Sequence, residues 1–574
     1  MPPATAPTRG ERSTYLGLAA FAAVLWLATL SLRPLFNTDE GRYAEIPREM
    51  LSGGDWVIPH LNGLPYVEKP PLQYWATALS LRVVGQSEFG ARLYTALCAL
   101  AAVLMVALTA NRLWGAAAGW RAGALLASML LFLVMGQLLT LDMSLTWYMT
   151  LALVGFLRAQ QRAQPRAQRA GGSAVREGGS QPGRAAPGVR REQGWMLLAW
   201  IATALGVLTK GLVAAALPAA VLILYSLYAR DWSPWRRLHA SIGLPLFLGV
   251  AIPWYWLAAQ RLPDFLQFFF VHEHLARYLT PSADREEPWW FFGAVFLLGS
   301  MPWTLPALRA LFQGWRRPSP GAGFDAKLFL RIWVLFVCLF FSVSSSKLIP
   351  YILPAFPALA LLTADLPADV FERDLARTAL LTLGCALALA ATCLFAPRYV
   401  APSDRSAYFL ALAKPLAQIA LLLAASALYV MSQRRRDLTR ATVFLGAGWC
   451  LSGLLMMRAA AAVAPVYSGV TLARALPGVP RDIPVYSVAT YDQTLPFYWR
   501  RTVELVAYRG ELDYGLRYDP QAELPSLEEF TARWSAASSA YAVMEKKTFG
   551  ELAAQGVPMR ELARDANRVL VARR

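Results

Sequence analysis

Apolar runs punctuate the chain at residues 15–33, 91–110, 122–139, 143–157, 195–209, 211–228, 240–258, 289–308, 328–343, 349–364, 378–396, 408–430 and 441–457. A bilayer-spanning helix needs about 20 mostly apolar residues. The pattern therefore predicts an all-α polytopic membrane bundle of about 13 transmembrane helices over residues 1–457. Several runs are shorter, which suits helices that are tilted or packed inside a bundle. The N-terminus, 1–14, is polar, and no small-residue cleavage site trails the first run, so that run is expected to remain as the first helix. Beyond residue 458 the pattern changes. Segments 483–489, 503–508 and 540–544 look like strands, and 526–536 has helical spacing with Ser526 ahead of Glu528 and Glu529 as a start signal. The tail 458–574 is expected to be a small soluble α/β domain. No internal repeat is evident.

The polar stretches between the runs give an orientation. Loop 158–194 carries Arg158, Arg162, Arg166, Arg169, Arg176, Arg184, Arg190 and Arg191 against only Glu177 and Glu192. It is rich in Gly, Ala, Gln and Pro, so it is expected to be disordered, and its charge places it in the cytoplasm. Arg236 and Arg237, Arg316 and Arg317, and Arg434, Arg435 and Arg436 fall on the same side. Loop 34–90 falls on the other, with Arg42, Arg48, Lys69 and Arg82 against Asp39, Glu40, Glu45, Glu49, Asp55, Glu68 and Glu88. Segment 365–377 is acidic and breaks the pattern, and the sequence offers no account of it. An odd number of spans puts the C-terminal domain outside and the N-terminus in the cytoplasm.

Composition agrees. Only 16% of the 574 residues are charged and the mean hydropathy is +0.38, whereas soluble domains carry about 25% charge. The net charge of +18 would suggest nucleic acid in a soluble protein. Here the clustering of Arg in short loops explains it, and no nucleic-acid partner is expected. Cys98, Cys338, Cys385, Cys393 and Cys450 form no CxxC pair and read as small buried hydrophobes.

Six polar blocks map to the non-cytoplasmic side. The first, 36–45, puts Asp39, Glu40 and Arg42 directly after the first run, and Arg42 at i+3 could simply pair with Asp39. The second, 63–75, presents Glu68 and Lys69 ahead of two prolines that preclude a regular helix there. The others are Asp142 in 139–143, Lys210 in 208–211, His272, Glu273, His274 and Arg277 in 271–278, and Lys347 and Tyr351 in 344–351. Zinc held by the two histidines with Glu68 or Glu273 is conceivable, although the spacing matches no ligand motif. Converging acids and bases at one membrane face suit an enzyme that takes a lipid-phosphate substrate from the bilayer. Lys69, Arg277, Lys347 and Arg42 could hold phosphates, with Asp39 near the acceptor. A transporter is the competing reading, but transporters place polar groups mid-span and often show repeats. A sensor or assembly protein would need little convergence of polar groups.

The blocks Asp39-Glu40-Gly-Arg42-Tyr43-Ala-Glu45, Tyr66-Val-Glu68-Lys69-Pro-Pro, Leu141-Asp142, Thr209-Lys210-Gly211 and Ser346-Lys347-Leu348-Ile-Pro350-Tyr351 together resemble polyprenyl-phosphate-dependent membrane glycosyltransferases of the GT-C class. Among these the resemblance is to the lipid A 4-amino-4-deoxy-L-arabinose transferases, relatives of the protein O-mannosyltransferases. It implies an inverting transfer of the aminosugar from undecaprenyl phosphate to a lipid A phosphate, at the periplasmic face of the bacterial inner membrane. A related transferase acting on another lipid or on a protein hydroxyl is the alternative within the class. The resemblance implies Asp39 and Asp142 as the catalytic acids. It implies Lys69 and Arg277 at the donor phosphate, with Arg42, Tyr43, Glu68, Lys210, Lys347 and Tyr351 completing the substrate-binding set. No cofactor is required by it, although Glu68 and a histidine of the 272–274 pair fall where the family can hold a metal. A lipid A phosphate is already ionised, so Asp39 would position substrate; a hydroxyl acceptor would suit it as a base.

Overall fold

A computed structural model describes residues 9–162, 187–276, 287–319, 323–399 and 404–573. Each of the expected apolar runs falls on helix. Among the described residues six helices are long and apolar enough to cross a bilayer: Glu88–Trp114, Ala240–Arg261, Ala326–Val343, Ala368–Phe395, Ser406–Gln433 and Leu438–Tyr467. The pair Phe291–Gly299 and Thr304–Phe312, bent by 118°, would make a seventh.

Several of the runs expected to be continuous are broken, and two of the breaks complete each other. Run 122–139 divides into Ala116–Ser128 and Leu130–Met135, and run 289–308 divides at 300–303. The Leu130 N–H freed by the first break donates to the Met301 carbonyl (3.0 Å) in the second. Trp303 Nε1 donates to Ser128 Oγ at 2.8 Å. Backbone groups released inside an apolar bundle need such partners. Run 349–364 begins as a 3₁₀ turn, Ile349–Ala355, because Pro350 and Pro354 interrupt the α-helical ladder before Phe356–Ala364 takes over.

Loop 34–90 is not a loop. It contains helix Asp39–Gly53, a hairpin of β1 (His60–Leu61) and β2 (Leu64–Pro65), and helix Leu72–Val84. Loop 158–194 is shorter than expected, since helices Leu141–Arg162 and Pro187–Lys210 enter it from both ends; its centre, 163–186, lies outside the described residues.

The acidic segment 365–377 acquires an explanation. Asp365 pairs with Lys327, Glu372 with Arg434 at 3.1 Å, and Asp374 with Arg309 at 2.5 Å and Arg377 at 3.5 Å. It supplies counter-charges to cations at the ends of neighbouring helices.

The C-terminal segment forms a six-stranded mixed sheet from β3 (Val485–Val488), β4 (Glu504–Val506), β5 (Glu523–Leu524), β6 (Tyr541–Glu545), β7 (Met559–Arg564) and β8 (Arg568–Arg573), in the order β5-β4-β3-β6-β8-β7. β5, β4, β3 and β6 are parallel, while β8 runs antiparallel to both β6 and β7. Leu527–Ala536 starts with the Ser526 side chain accepting from Glu529 N, as its start signal predicts. One apolar cluster joins Leu35, Tyr43, Ile46 and Tyr66 to Val485, Tyr491, Phe497 and Leu512. The sheet thus shares a core with the segment that follows the first apolar run.

Candidate active site

Helix Asp39–Gly53 opens with two acids in its first turn, where the helix dipole favours negative charge. It closes on Gly54, whose φ of +76° suits the left-handed cap and whose N–H donates to the Met50 carbonyl. The two acids face different surroundings. Glu40 is buried between Arg33 (2.5 and 2.9 Å) and Arg92 (2.8 and 2.9 Å), and it accepts the N–H groups of Phe36 and Leu139 at 3.0 Å. Burial alone would raise its pKa, but the two guanidiniums hold it far below the usual carboxylate range. Glu40 is therefore a structural clamp. The Asp39 side chain is 47% exposed and ion-paired to Arg42, so it is the accessible one of the two acids.

Arg42 is buried and serves three partners: Asp39, Glu511 and the Tyr66 hydroxyl at 3.0 Å. Its guanidinium lies 5.2 and 5.8 Å from the ring centres of Tyr43 and Tyr66. Glu511 follows β4, and its second oxygen accepts from the Gln493 amide, which follows β3. The carboxyl ends of two adjacent parallel strands are thus turned onto this helix. Gly41 makes the approach possible, since a Cβ there would stand 2.6 Å from the Gln493 carbonyl carbon. Tyr43 packs against the Arg42 guanidinium. Burial raises its pKa, and Asp39 and Asp142 raise it further against the opposing pull of Arg42.

The hairpin turns at Asn62 and Gly63, with φ of +55° and +79°, the conformation that an Asn-Gly pair favours. Glu49 accepts both turn N–H groups at 2.6 and 2.9 Å. The Asn62 side chain exchanges two hydrogen bonds with the Val503 backbone, at 2.9 and 2.8 Å. Burial, with the neighbouring Glu45 carboxylate, pushes the Glu49 pKa up to about 8.

Lys69 reaches Glu273 at 3.0 Å and lies 4.0 Å from the Glu68 carboxylate. Glu273 sits in the π-helix Gln267–Ala276, and His272 Nδ1 lies 3.3 Å from it. Glu273, the residue between the two histidines, makes the link to the first loop. The Lys69 ammonium thus stands between the two carboxylates. No group of three His, Cys, Asp or Glu that could hold a metal occurs among the described residues. The His274 side chain and Arg277 lie outside the described set.

Asp142, in the first turn of Leu141–Arg162, is ion-paired to Lys210, the last residue of Pro187–Lys210. The Lys210 ammonium lies 4.5 Å from the Tyr351 ring centre. Lys347 lies two residues before the 3₁₀ element Ile349–Ala355 that carries Tyr351, and is 9% exposed. It has no hydrogen bond or ion pair to any described residue. A buried ammonium left uncompensated is ready for an anion.

Residues 12–269 match the family described as dolichyl-phosphate-mannose-protein mannosyltransferase, and residues 472–573 match the aminoarabinose transferase C-terminal domain. Two undecaprenyl phosphate-alpha-4-amino-4-deoxy-L-arabinose arabinosyl transferases are similar. That of Aeromonas salmonicida is 33% identical over 362 residues, covering 62% of this chain and 61% of its own. That of Pseudomonas aeruginosa is 36% identical over 350 residues, covering 60% of this chain and 58% of its own. The chain thus spans about three fifths of the length of these curated relatives. The crystal structure of ArnT from Cupriavidus metallidurans bound to undecaprenyl phosphate is similar over 97% of both chains, with a TM-score of 0.85 and 32% identity. The chain belongs to the aminoarabinose transferase family.

Within that family frame, the structure brings Asp39, Arg42 and Tyr43 together, joins Glu68 to Lys69, and joins Asp142 to Lys210 and Tyr351. What the sequence reading missed lies mainly in the C-terminal sheet. Glu511 and Gln493 carry no local signal, since they reach the site by tertiary packing. Asn62 could have been found, because Asn-Gly between two short extended pieces is a hairpin signal. Glu273 could have been weighed against its histidine neighbours as a partner for Lys69.

Proposed function

We propose that this aminoarabinose transferase family member transfers 4-amino-4-deoxy-L-arabinose from undecaprenyl phosphate to a lipid A phosphate, with inversion at the anomeric carbon. The acceptor phosphate oxygen forms the new bond to the anomeric carbon as the bond to the undecaprenyl phosphate oxygen breaks. Asp39 positions the reacting groups: it is held by Arg42 yet half exposed, and an ionised phosphate acceptor needs no base. Lys347, Lys210 and Lys69, with Arg277 outside the described residues, stabilise the phosphates and the negative charge that builds on the leaving group. Asp142 keeps Lys210 in place.

The observation that carries this reading is the likeness along 97% of the chain to an ArnT structure bound to undecaprenyl phosphate. The orientation follows from the charge pattern: about thirteen spans, a cytoplasmic N-terminus, and a C-terminal α/β domain on the periplasmic side of the inner membrane. The broken helices are counted in it as spans. The reading is tested by mass spectrometry of lipid A from cells with and without the protein. Aminoarabinose on the phosphates only when it is present supports the reading; identical lipid A in both overturns it.

A further inference from the structure

The arrangement around Arg42 has two carboxylates against one guanidinium, whose buried Nε has no hydrogen-bond partner among the described residues. One guanidinium serves both Asp39 and Glu511, so this cluster carries a net negative charge. Glu511 also holds the Gln493 side-chain amide through the nitrogen of that group. The amide oxygen of Gln493, a residue only 2% exposed, is left without a hydrogen-bond partner among the described residues. A buried acceptor without a partner is unfavourable, because it has given up its hydrogen bonds to water. A carboxylate offers about four lone-pair sites, and each Glu511 oxygen here has one partner. The open acceptor positions, on Glu511 and the Gln493 amide, therefore lie beside an unbalanced negative charge that includes the half-exposed Asp39. The chemistry that completes them is a compact cation with several N–H donors, which is an ammonium group. Lys347, a cation in the 344–351 block with no ion pair among the described residues, is the opposite kind of site. A substrate carrying both an ammonium and a phosphate matches the two.

We propose that Glu511, with the Gln493 amide oxygen, is the subsite for the ammonium of the transferred sugar, and so selects an aminosugar donor over a neutral one. This rests on the donor assigned under Proposed function. It gives the C-terminal sheet a role in specificity, delivered through the carboxyl ends of β3 and β4. In open α/β sheets that edge is where ligands bind.

The test uses the purified full chain and two undecaprenyl-phosphate donors, one with the free 4-amino sugar and one with its neutral N-formyl derivative. The readout is the ratio of their kcat/KM values, which cancels any general loss of folded enzyme. The wild type prefers the amine. Glu511→Gln lowers that ratio at least tenfold, and Glu511→Asp, which keeps the charge, restores most of it. A ratio unchanged in Glu511→Gln, with or without a fall in absolute rate, overturns the subsite and leaves Glu511 only a partner of Arg42. A wild type that transfers neither sugar overturns the donor assignment and the subsite together. A wild type that transfers the amine while the variant keeps its preference overturns the subsite alone.

Discussion

Arg42 is ion-paired to Glu511, 469 residues further along the chain. The pair ties the helix that follows the first apolar run to the C-terminal sheet, and Asp39 shares the same guanidinium. Replacing Arg42 by Ala leaves both carboxylates without their cation. Breaking a buried pair from one side costs roughly 3–5 kcal/mol, and loss of one preorganised charge at a reacting centre costs about 100-fold or more in rate. We expect Arg42→Ala to lower both the unfolding temperature in detergent and the transfer rate, and Arg42→Lys to recover stability better than activity, because Lys lacks the fork that engages three partners.

Asp39 and Glu40 are neighbours with separable roles. Glu40→Gln weakens the clamp on Arg33 and Arg92, and we expect it to destabilise the fold by about 3 kcal/mol or more. Asp39→Asn removes a half-exposed carboxylate, so its unfolding temperature stays close to that of the wild type while transfer is lost. Thermal unfolding and transfer rates measured side by side check both; equal destabilisation of the two variants would contradict the division.

Lys347 has no partner among the described residues, so removing it breaks no pair. Lys347→Ala is expected to leave thermal stability unchanged or slightly raised, and to weaken donor binding about tenfold, the scale of one charge-assisted hydrogen bond. The KM for the undecaprenyl-phosphate donor measures this. A large fall in stability with unchanged KM would remove Lys347 from the phosphate site.

Glu49 makes the fold sensitive to pH. Its pKa rises from 4.5 to about 8 because of burial and the nearby Glu45. The folded state therefore holds a proton that the unfolded chain releases near pH 4.5. Its contribution is full below that value and is lost as pH rises through about 8. The unfolding temperature is therefore expected to fall between roughly pH 5 and 8, and Glu49→Gln, which mimics the protonated acid, should flatten the dependence. Parallel pH profiles of the two chains decide it.

Much of this was legible in local sequence because the signals are local. The i, i+3 spacing of Asp39 and Arg42 gives the pair that the structure contains. Ser526 ahead of Glu528 and Glu529 gives the start of Leu527–Ala536. Hydropathy locates the helices, but it does not show where one breaks. The bends at 128–130 and 300–303 are tied to each other by Leu130 and Trp303, which donate across to Met301 and Ser128, a relationship no single window contains. The acidic segment 365–377 looks anomalous until Lys327, Arg309 and Arg434 are seen beside it. Glu511 and Gln493 sit in a segment with no motif at all, and their place follows from the parallel order of β3 and β4 and from Gly41, where a side chain would collide with the Gln493 backbone.

The most direct measurement is transfer reconstituted with purified full-length chain, undecaprenyl-phosphate aminoarabinose and lipid A. The wild type should form aminoarabinosyl lipid A and release undecaprenyl phosphate in equal amounts, and Asp39→Asn, equally well folded, should form neither. Absence of product with the wild type, or undiminished product with Asp39→Asn, would contradict the account.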